Sequence, residues 1–365
     1  MAGRFVLKKF ADIDLSDRFF DSLKEDYPAD PNNIGFEAWF RNKVIDGSTA
    51  LVFDDDDGLG AFVCLKEENE PILLDGDSLP AVPRVKISTL CIAERYRGQR
   101  LGEGALGLAL WYWQKKRAQQ IYVTVFEKHA HLIGLLQRFG FCLVGHRQNG
   151  ECVYVKDRMN ADYSDPYKAF PFIKPGFRKA GYLIINDDYH DTLFPYSELS
   201  RTLQESVAKS VTNGLCKIYV GSPSRPHHQV GEPLLIYRRH TKHDGQKPRY
   251  KSCVTSFCVV TDVVIAKSNH QFCMSLEALL ARIGNKSVFD SDEIEVKYRK
   301  AENLVIIEML YCGYFGAGNN VNMDWLDKNG YWGTGEYPAA IQLSPSQFRA
   351  ILREGNVDVS NVIIH

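Results

Sequence analysis

The first half of the chain alternates apolar runs of strand length with apolar stripes of helical spacing. Runs rich in β-branched and aromatic residues predict strands over 4–9, 50–53, 59–67, 85–92 and 120–126. Apolar positions that recur every three to four residues predict helices over 16–25, over 36–45 and from residue 106 to the basic end at 115–117. A further helical stripe, closed by Gly140, consists of Leu132, Leu135, Leu136 and Phe139.

The connection between the 85–92 strand and the following helix is rich in glycine and arginine. It reads, in order, Arg97, Gly98, Gln99, Arg100, Leu101, Gly102, Glu103 and Gly104. A strand that turns through glycines into a helix directs several free backbone N–H groups at one point, which favours an anion. Because glycine has no Cβ, a phosphate can lie against the backbone. This turn is therefore a candidate phosphate site, and the alternative is that its glycines only permit close packing.

Two common phosphate motifs are excluded for this turn. No Gly-Lys-Ser/Thr follows the glycines, so the turn is not a P-loop. The glycine spacing also differs from that of a dinucleotide-binding fingerprint, and no βαβ unit with a suitably spaced acidic residue follows.

The turn matches a known family motif. Gln99, Gly102 and Gly104 match the Q/R-x-x-G-x-G/A motif of the GNAT acetyltransferase superfamily. The segment over 135–141 resembles the family's "LYEKLGF" segment, and the order of predicted elements agrees, so the resemblance extends over roughly residues 4–157. It implies that acetyl-CoA lies between two neighbouring parallel strands that splay apart, here 85–92 and 120–126.

The resemblance also implies which residues contact the cofactor. Backbone groups of three strand residues would pair with the pantetheine amides like an added strand. The N–H groups of 97–102 would hold the pyrophosphate, with Arg97 and Arg100 adding charge. The predicted cofactor-binding residues are Leu90, Cys91, Ile92, Arg97, Gly98, Gln99, Arg100, Leu101, Gly102, Glu103 and Gly104.

The catalytic positions depart from the family pattern. The family often places a tyrosine that protonates the leaving thiolate where this chain has Leu136, and frequently an asparagine where it has His129. Either the thiolate leaves without a general acid or another group serves. Glu127 and His129, just past the second splayed strand, are the nearest titratable candidates. The alternative is that both are solvated loop residues without a catalytic role.

The length of 365 residues exceeds the roughly 150 residues of one such domain. A turn-rich break predicts an acetyltransferase domain over 1–158, a linker over 159–175 and a second domain over 176–365. No apolar run is long enough for a membrane span, and the N-terminus lacks an apolar signal core. The nine cysteines form no CxxC pair, which predicts reduced thiols in a cytoplasmic protein and no metal site.

The second half predicts short strands with interleaved helices. Strands are predicted over 181–186, 215–220, 252–264 and 304–310, with a turn entering another at 230–237, and helices over 197–211, 276–283, 290–297 and 344–353. Several of these segments resemble PUA-like domains of the ASCH and EVE kind, although the Gly-x-Lys-x-x-Glu-x-Arg motif of the ASCH group is not found. The predicted fold class is therefore a GNAT fold, with a mixed, splayed sheet, followed by a PUA-like small α+β barrel. The resemblance implies a pocket that holds RNA or a modified base.

Charge is nearly balanced over the whole chain but not within one segment. The net charge is −1, whereas residues 238–251 carry +5, with Tyr237 and Tyr250 beside them. Basic groups suit phosphates and aromatic faces suit bases, so this segment predicts binding of RNA or single-stranded nucleic acid; the alternative is a solvated hairpin loop. An aromatic-rich stretch over 311–333 either lines a base pocket or fills the core. The residues assigned to nucleic acid are Arg238, Arg239, Lys242, Arg249 and Lys251.

These features together predict an acetyl-CoA-dependent N-acetyltransferase whose second domain holds RNA or a nucleoprotein. The acceptor is then an amine of an aminoacyl-tRNA, of a base, or of a bound protein. Two alternatives stay open. One is a nucleic-acid-binding regulator that senses acetyl-CoA without turnover, and the other is a small-molecule acetyltransferase whose second domain oligomerises the chain.

Overall fold

The computed structural model describes residues 4–31, 33–200, 204, 209–223, 226–242, 244–332 and 340–364. Its N-terminal part contains, in chain order, β1 (Val6–Lys9), α1 (Asp21–Asp26), α2 (Gly35–Ile45), β2 (Thr49–Asp55), β3 (Gly58–Glu68), β4 (Ile72–Leu73), β5 (Ser78–Leu79), β6 (Arg84–Ile92), α3 (Leu101–Lys116), β7 (Gln120–Val125), α4 (Ala130–Arg138), β8 (Cys142–His146) and β9 (Cys152–Asp157).

Seven of these strands form one mixed sheet in the order β1-β2-β3-β6-β7-β9-β8. The pair β6–β7 is parallel, and its neighbours on both sides are antiparallel. The helix α3 packs on one face of the sheet through Leu106, Leu110 and Trp113, while α2 covers the other face with Phe36 and Phe40. The mixed, splayed sheet with helices that the sequence predicts is therefore confirmed for the N-terminal half.

Local signals in the sequence explain where two of these helices end. Gly140 follows α4 with a φ of +81°, and the N–H of Phe141 donates to the carbonyl of Leu136 at 3.0 Å, which closes the helix as the glycine predicts. Basic residues occupy the last turn of α3. The predicted helix over 16–25 is a 3₁₀ turn at Arg18–Phe20 followed by the short α1.

The second half contains, in chain order, α5 (Pro166–Ala169), β10 (Ala180–Asn186), α6 (Asp187–Leu193), α7 (Ser210–Asn213), β11 (Cys216–Gly221), β12 (Pro233–Arg239), α8 (Pro248–Lys251), β13 (Cys253–Ser268), β14 (Gln271–Phe272), α9 (Leu276–Ile283), α10 (Ser291–Lys300), β15 (Leu304–Tyr314), β16 (Val321–Asn322), α11 (Met323–Lys328), β17 (Gln342–Leu343), α12 (Pro345–Glu354) and α13 (Val359–Val362).

The second sheet has the order β11-β15-β13-β12-β10-β17, with β14 and β16 added to β13. Among the described residues, no pairing returns from β17 to β11, so the predicted small barrel is not formed as a closed sheet. The predicted helix over 197–211 also needs correction. A helix begins earlier, at Asp187, residues 197–200 are not helical, and residues 201–203 and 205–208 lie outside the described part.

The two halves share one hydrophobic core. Trp113 of α3, Phe170 and Phe172 of the segment 159–175, and Leu352 of α12 belong to the same buried cluster. Trp111 of α3 donates its indole N–H to the carbonyl of Cys312 at 2.8 Å. The predicted linker segment therefore contributes core residues that join the two sheets.

Other predicted features have clear positions in this structure. Tyr311, Phe315 and Trp332 of the aromatic stretch are buried core residues, while Gly333 lies outside the described residues. All nine cysteines lie in the described part of the chain and are free thiols. None of the described helices combines the length and apolar character needed to cross a lipid bilayer.

Candidate functional site

The strands β6 and β7 pair at their beginnings and then diverge. The parallel pairing runs only from Arg84 opposite Gln120 to Ile87 opposite Val123. Beyond this point Leu90, Cys91 and Ile92 still pair with β3 on their other side. Among the described residues, no strand occupies the β7 side of these three. The divergence creates the gap that the sequence predicts between the two strands.

The turn that follows β6 offers unpaired backbone donors beside this gap. Gly98 and Arg100 both have a positive φ, +76° and +63°. The N–H of Gly104 is the first in α3 to find a backbone carbonyl, that of Arg100 at 3.2 Å. Within the described part of the chain, the preceding N–H groups that donate to no protein acceptor are those of Gly98, Arg100, Leu101, Gly102 and Glu103.

Gly102 is the glycine of this turn that faces the gap. A Cβ built on it would meet only Ile92 of β6 at 3.8 Å and Leu135 of α4 at 4.0 Å among the described residues. Both are ordinary contact distances, so no close protein packing demands glycine there. The absence of a side chain instead leaves the backbone open to a ligand.

Three other residues of the turn have roles that differ from those predicted. The N–H of Arg97 donates to Glu94 at 2.9 Å and that of Gln99 to Tyr96 at 3.1 Å, so neither is free for a pyrophosphate. The guanidinium of Arg100 is largely buried and pairs with Glu103 at 2.7 Å. The charge that Arg100 would add to the cofactor site is thus neutralised inside the protein, whereas the Arg97 side chain is exposed beside Glu94.

Gly104 and Glu103 contact the second half of the chain. A Cβ on Gly104 would lie 2.0 Å from the carbonyl oxygen of Asn213, so this glycine permits close packing, which is the alternative that the sequence leaves open. The carboxylate of Glu103 accepts the N–H of Cys216 at 2.6 Å. Leu101 is fully buried and can contribute to a ligand site only through its backbone.

The two predicted catalytic residues lie beyond the end of β7. The carboxylate of Glu127 is mostly exposed, 3.8 Å from the imidazole of His146. The imidazole of His129 contacts the carboxylate of Asp26 at 3.0 Å, and Lys128 pairs with the same carboxylate. The contacts of Glu127 thus place it beside β8 and β9, on the side of β7 away from β6, whereas His129 lies beside α1.

The thiol of Cys91 lies on the diverging part of β6. Burial raises its pKa to about 11, so it stays protonated at neutral pH.

A buried polar cluster at the same end is not apparent from the sequence. The carboxylate of Glu151 is buried and accepts hydrogen bonds from Tyr27 at 2.9 Å, Thr124 at 3.0 Å and Asn149 at 3.0 Å. Burial and the nearby Glu151 carboxylate raise the pKa of Tyr27 well above its usual range, so the phenol remains a donor. The available signal was a carboxylate placed immediately before the apolar run of β9.

Leu136 fills the position where the family often has tyrosine. Its side chain is fully buried in the core between α4 and the sheet, so it offers no polar group to the gap. The sequence-based expectation that a general acid is absent at this position agrees with the packing.

The described residues bring one set of possible metal ligands together. Glu127, His146 and Cys152 have ligand atoms that all lie within 4.8 Å of one another. His146 and Cys152 face each other across β8 and β9. Two of the three are exposed, and the Cys152 thiol has its pKa raised by burial and by Glu127.

The predicted nucleic-acid residues are divided between the interior and the surface. Arg238 is buried and forms a two-nitrogen contact with Asp191, with both distances 2.8 Å. Arg249 bridges Asp324 and Asp327, each at 2.7 Å. Arg239 and Lys242 are exposed, and Lys251 is half-buried. The assignment of Arg238 is therefore corrected, because its guanidinium is used to neutralise buried carboxylates.

Comparison with known proteins identifies the N-terminal region. Residues 13–141 match the model of the Acetyltransferase (GNAT) family. The spermine/spermidine N(1)-acetyltransferase of Bacillus subtilis (strain 168) is 38% identical over 76 residues, which are 20% of this chain and 50% of that protein. A probable spermine N(1)-acetyltransferase of Bacillus subtilis subsp. natto is 36% identical over 76 residues, with the same coverage. The chain thus spans about half the length of these relatives, and its N-terminal region carries a GNAT acetyltransferase domain.

Two solved structures are each similar to less than half of this chain. Arabidopsis thaliana NAA60 in complex with acetyl-CoA is 18% identical, covers 43% of this chain and all of its own, and has a TM-score of 0.32. A mutant of the ZmASCH protein from Zymomonas mobilis is 10% identical, covers 48% of this chain and 98% of its own, and has a TM-score of 0.31.

Proposed function

We propose that this protein is an acetyl-CoA-dependent N-acetyltransferase. The observation that carries the proposal is the gap between β6 and β7, which opens next to the unpaired N–H groups at the start of α3. The edge of β6 at Leu90, Cys91 and Ile92 would pair with the pantetheine amides. The N–H groups of Arg100 and Gly102 would hold the pyrophosphate, as helix N-termini hold phosphates.

The chemistry in such a gap requires a neutral amine beside the thioester carbonyl. The amine nitrogen forms the new C–N bond, the C–S bond breaks with its electron pair on sulfur, and the proton lost by nitrogen goes to a base. Glu127 and His129 are our candidates for this base because both are titratable and follow directly after β7, although the Glu127 side chain lies on the β9 side. Since Leu136 has no proton to give, the thiolate takes its proton from solvent or from the base that the amine has protonated.

The test is release of free CoA thiol by the purified full chain, given acetyl-CoA and a panel of amines. Acetylated product in stoichiometric amount with thiol is the expected result. Tight acetyl-CoA binding with no turnover on any amine would favour the sensing alternative, and absence of acetyl-CoA binding would overturn the proposal.

We further propose that the second half presents the acceptor as part of RNA or a nucleoprotein. The support is that Arg239, Lys242 and Tyr250 of the segment 238–251 are exposed, Tyr250 by 55%. Cationic side chains with an aromatic face suit single-stranded nucleic acid. Because Arg238 and Arg249 are held by carboxylates, this surface has less free charge than the segment as a whole.

A second candidate acceptor is a small polycationic amine. The exposed carboxylate of Glu127 has no Lys or Arg partner among the described residues, whereas Lys128 pairs with Asp26 and Arg147 lies 3.8 Å from Glu151. An exposed carboxylate without such a partner can pair with an ammonium group of a polyamine. The Bacillus relatives are named as spermine or spermidine acetyltransferases, which also favours a small polycationic amine as the acceptor.

One competition experiment separates the two acceptors. The full chain is given acetyl-CoA with spermidine, total RNA and a lysine-rich peptide, each alone and in pairs. Acetylation of RNA or of the peptide that persists against spermidine supports the nucleoprotein acceptor, whereas transfer to spermidine alone supports the small amine.

A further inference from the structure

The carbonyl groups of the cofactor turn are held by side chains from the second half of the chain. The amide nitrogen of Asn285 donates to the carbonyl of Gly98 at 2.7 Å. The amide nitrogen of Asn213 donates to the carbonyl of Gln99 at 3.2 Å. These two asparagines follow α9 and end α7, and both are distant from the turn in sequence.

Holding the Gln99 carbonyl also sets the direction of one unpaired N–H group. A peptide unit is planar and trans, so its C=O and N–H point in opposite directions. The Gln99 carbonyl shares its plane with the N–H of Arg100, which is one of the unpaired donors. With the carbonyl directed towards Asn213, this N–H must point away from the second half.

The adjacent peptide is fixed at both ends. Asn285 holds the carbonyl of Gly98, and the N–H of Gln99 in the same peptide unit donates to Tyr96 at 3.1 Å. The positive φ of Arg100 is a conformation that non-glycine residues seldom adopt unless their surroundings fix it. The surroundings here include Gly214, where a Cβ would lie 2.4 Å from the Arg100 guanidinium carbon.

From these contacts we infer that Asn213 and Asn285 are positioning residues for the acetyl-CoA site. The second half thereby determines the affinity of the first half for its cofactor. The inference rests on the proposed function. It adds that the docked second half is part of the cofactor site. The second half would therefore do more than hold the acceptor.

The same geometry implies that acetyl-CoA binding and docking of the second half are thermodynamically coupled. If the docked arrangement of α7 favours acetyl-CoA, then acetyl-CoA must favour the docked arrangement by the same free energy. A ligand that displaces α7 or the residue after α9 would weaken cofactor binding without touching the gap.

The experiment compares acetyl-CoA binding by calorimetry in full-length Asn213→Ala, Asn285→Ala and a control, Asn329→Ala. Asn329 makes the same kind of contact elsewhere, donating to the carbonyl of Trp325 at 2.8 Å. We expect the Kd to rise about 2- to 10-fold in each test variant, in line with the loss of one hydrogen bond, and to stay unchanged in the control. Thermal unfolding of each variant shows whether the fold is retained.

A substitution that conserves side-chain size separates positioning from space filling. Asn285→Asp keeps the shape of the side chain but replaces the donor by an acceptor that repels the Gly98 carbonyl. A positioning role predicts an acetyl-CoA Kd at least as weak as that of Asn285→Ala, whereas a space-filling role predicts wild-type affinity. Wild-type affinity in folded Asn285→Asp and both alanine variants would overturn the inference.

Hydrogen exchange of the full chain gives an independent readout. Acetyl-CoA should slow amide exchange at 213–216 relative to the protein alone, although these residues do not line the gap. If wild-type protein binds no acetyl-CoA at all, the proposed function fails. If it binds acetyl-CoA but 213–216 and the variants do not respond, only this inference fails.

Discussion

The carboxylate of Glu103 joins the two halves of the molecule, accepting the N–H of Cys216 at 2.6 Å while it pairs with Arg100 at 2.7 Å. Both charged side chains are about nine-tenths buried. A complete buried ion pair adds little net stability because desolvation offsets the attraction, but loss of one partner leaves the other charge buried and unpaired.

Glu103→Ala should therefore destabilise the protein by roughly 3–5 kcal/mol. Urea unfolding at pH 7 measures the effect. The matched control is Glu94→Ala, which removes a similar pair with Arg97 that is exposed on both sides and should cost about 0.2–1 kcal/mol. Equal effects for the two variants would show that the Glu103 contact does not hold the halves together.

Gly102→Val tests the cofactor turn itself. The new side chain would occupy the space against which a pyrophosphate lies, so acetyl-CoA binding should weaken by at least ~1–3 kcal/mol, the range for a buried polar group left unpaired. Because a Cβ there makes only ordinary contacts, the fold should survive. Gly176→Val is the control, since a Cβ at Gly176 meets none of the described residues within 4 Å and this glycine belongs to the connection between α5 and β10. Calorimetry that finds equal acetyl-CoA affinity in both variants would remove the turn from the cofactor site.

The sequence predicts the turn because its signals are local. Glycines after an apolar run, followed by helical spacing, specify a strand, a turn and a helix within about twenty residues. The roles of Arg100, Glu103 and Gly104 are not local, because their partners Gly214, Cys216 and Asn213 lie more than a hundred residues away in sequence. The family motif assigns these positions to cofactor binding, whereas in this structure they also contact the second half of the chain.

The basic segment shows a similar limit of sequence reasoning. A count of charges along the sequence gives Arg238 and Arg239 the same weight as candidate phosphate contacts. The strand β12 is buried on both faces, and Arg238 contacts Asp187 and Asp191 of α6, whereas Arg239 is exposed as the last residue of the strand. Burial opposes ionisation of Asp191, but the hydrogen bonds from Arg238 and His190 outweigh it and hold its pKa well below the usual range.

Neighbouring arginines should consequently respond differently to substitution. Arg238→Ala should destabilise the fold by about 3–5 kcal/mol, because it leaves a buried carboxylate without its partner. Arg239→Ala with Lys242→Ala should leave stability unchanged and, if the surface binds single-stranded RNA, lower the salt slope of binding by about 1.4, at ~0.7 per phosphate contact. RNA binding at two salt concentrations and urea unfolding measure the two effects. An unchanged salt slope in the double variant would argue against this surface as the phosphate contact.

Lys156 should make stability rise with pH. Burial lowers the pKa of its amine to about 7 in the folded protein, while the unfolded value lies near ~10.4. Between these values the unfolded chain binds one more proton than the folded chain, so the free energy of unfolding increases with pH. The neutral amine still has two N–H donors for the carbonyls of Phe139 and Lys168, each at 2.6 Å.

Lys156→Met should flatten this rise, measured as the difference in urea midpoint between pH 7 and pH 9.5. Lys217, whose pKa burial also lowers to about 7, adds a rise of the same sign that remains in the variant. Lys168→Met is the control because that side chain is about half exposed. If the urea midpoint of Lys156→Met changes between pH 7 and pH 9.5 as much as that of the wild type, Lys156 stays charged in the folded protein.

The pH dependence of turnover tests the missing general acid. Because Leu136 is buried and apolar, no side chain at that position must stay protonated for the thiolate to leave. The rate should therefore show one rising limb, set by deprotonation of the acceptor amine, with no steep fall below about pH 9. Glu127→Gln should lower kcat roughly 10²-fold if Glu127 accepts the amine proton, a typical loss for general base catalysis. A similar loss of kcat in His129→Gln instead would identify His129 as the base. Near-wild-type kcat in both variants, with the rising limb retained, would assign the rate to positioning of the amine in the gap between β6 and β7.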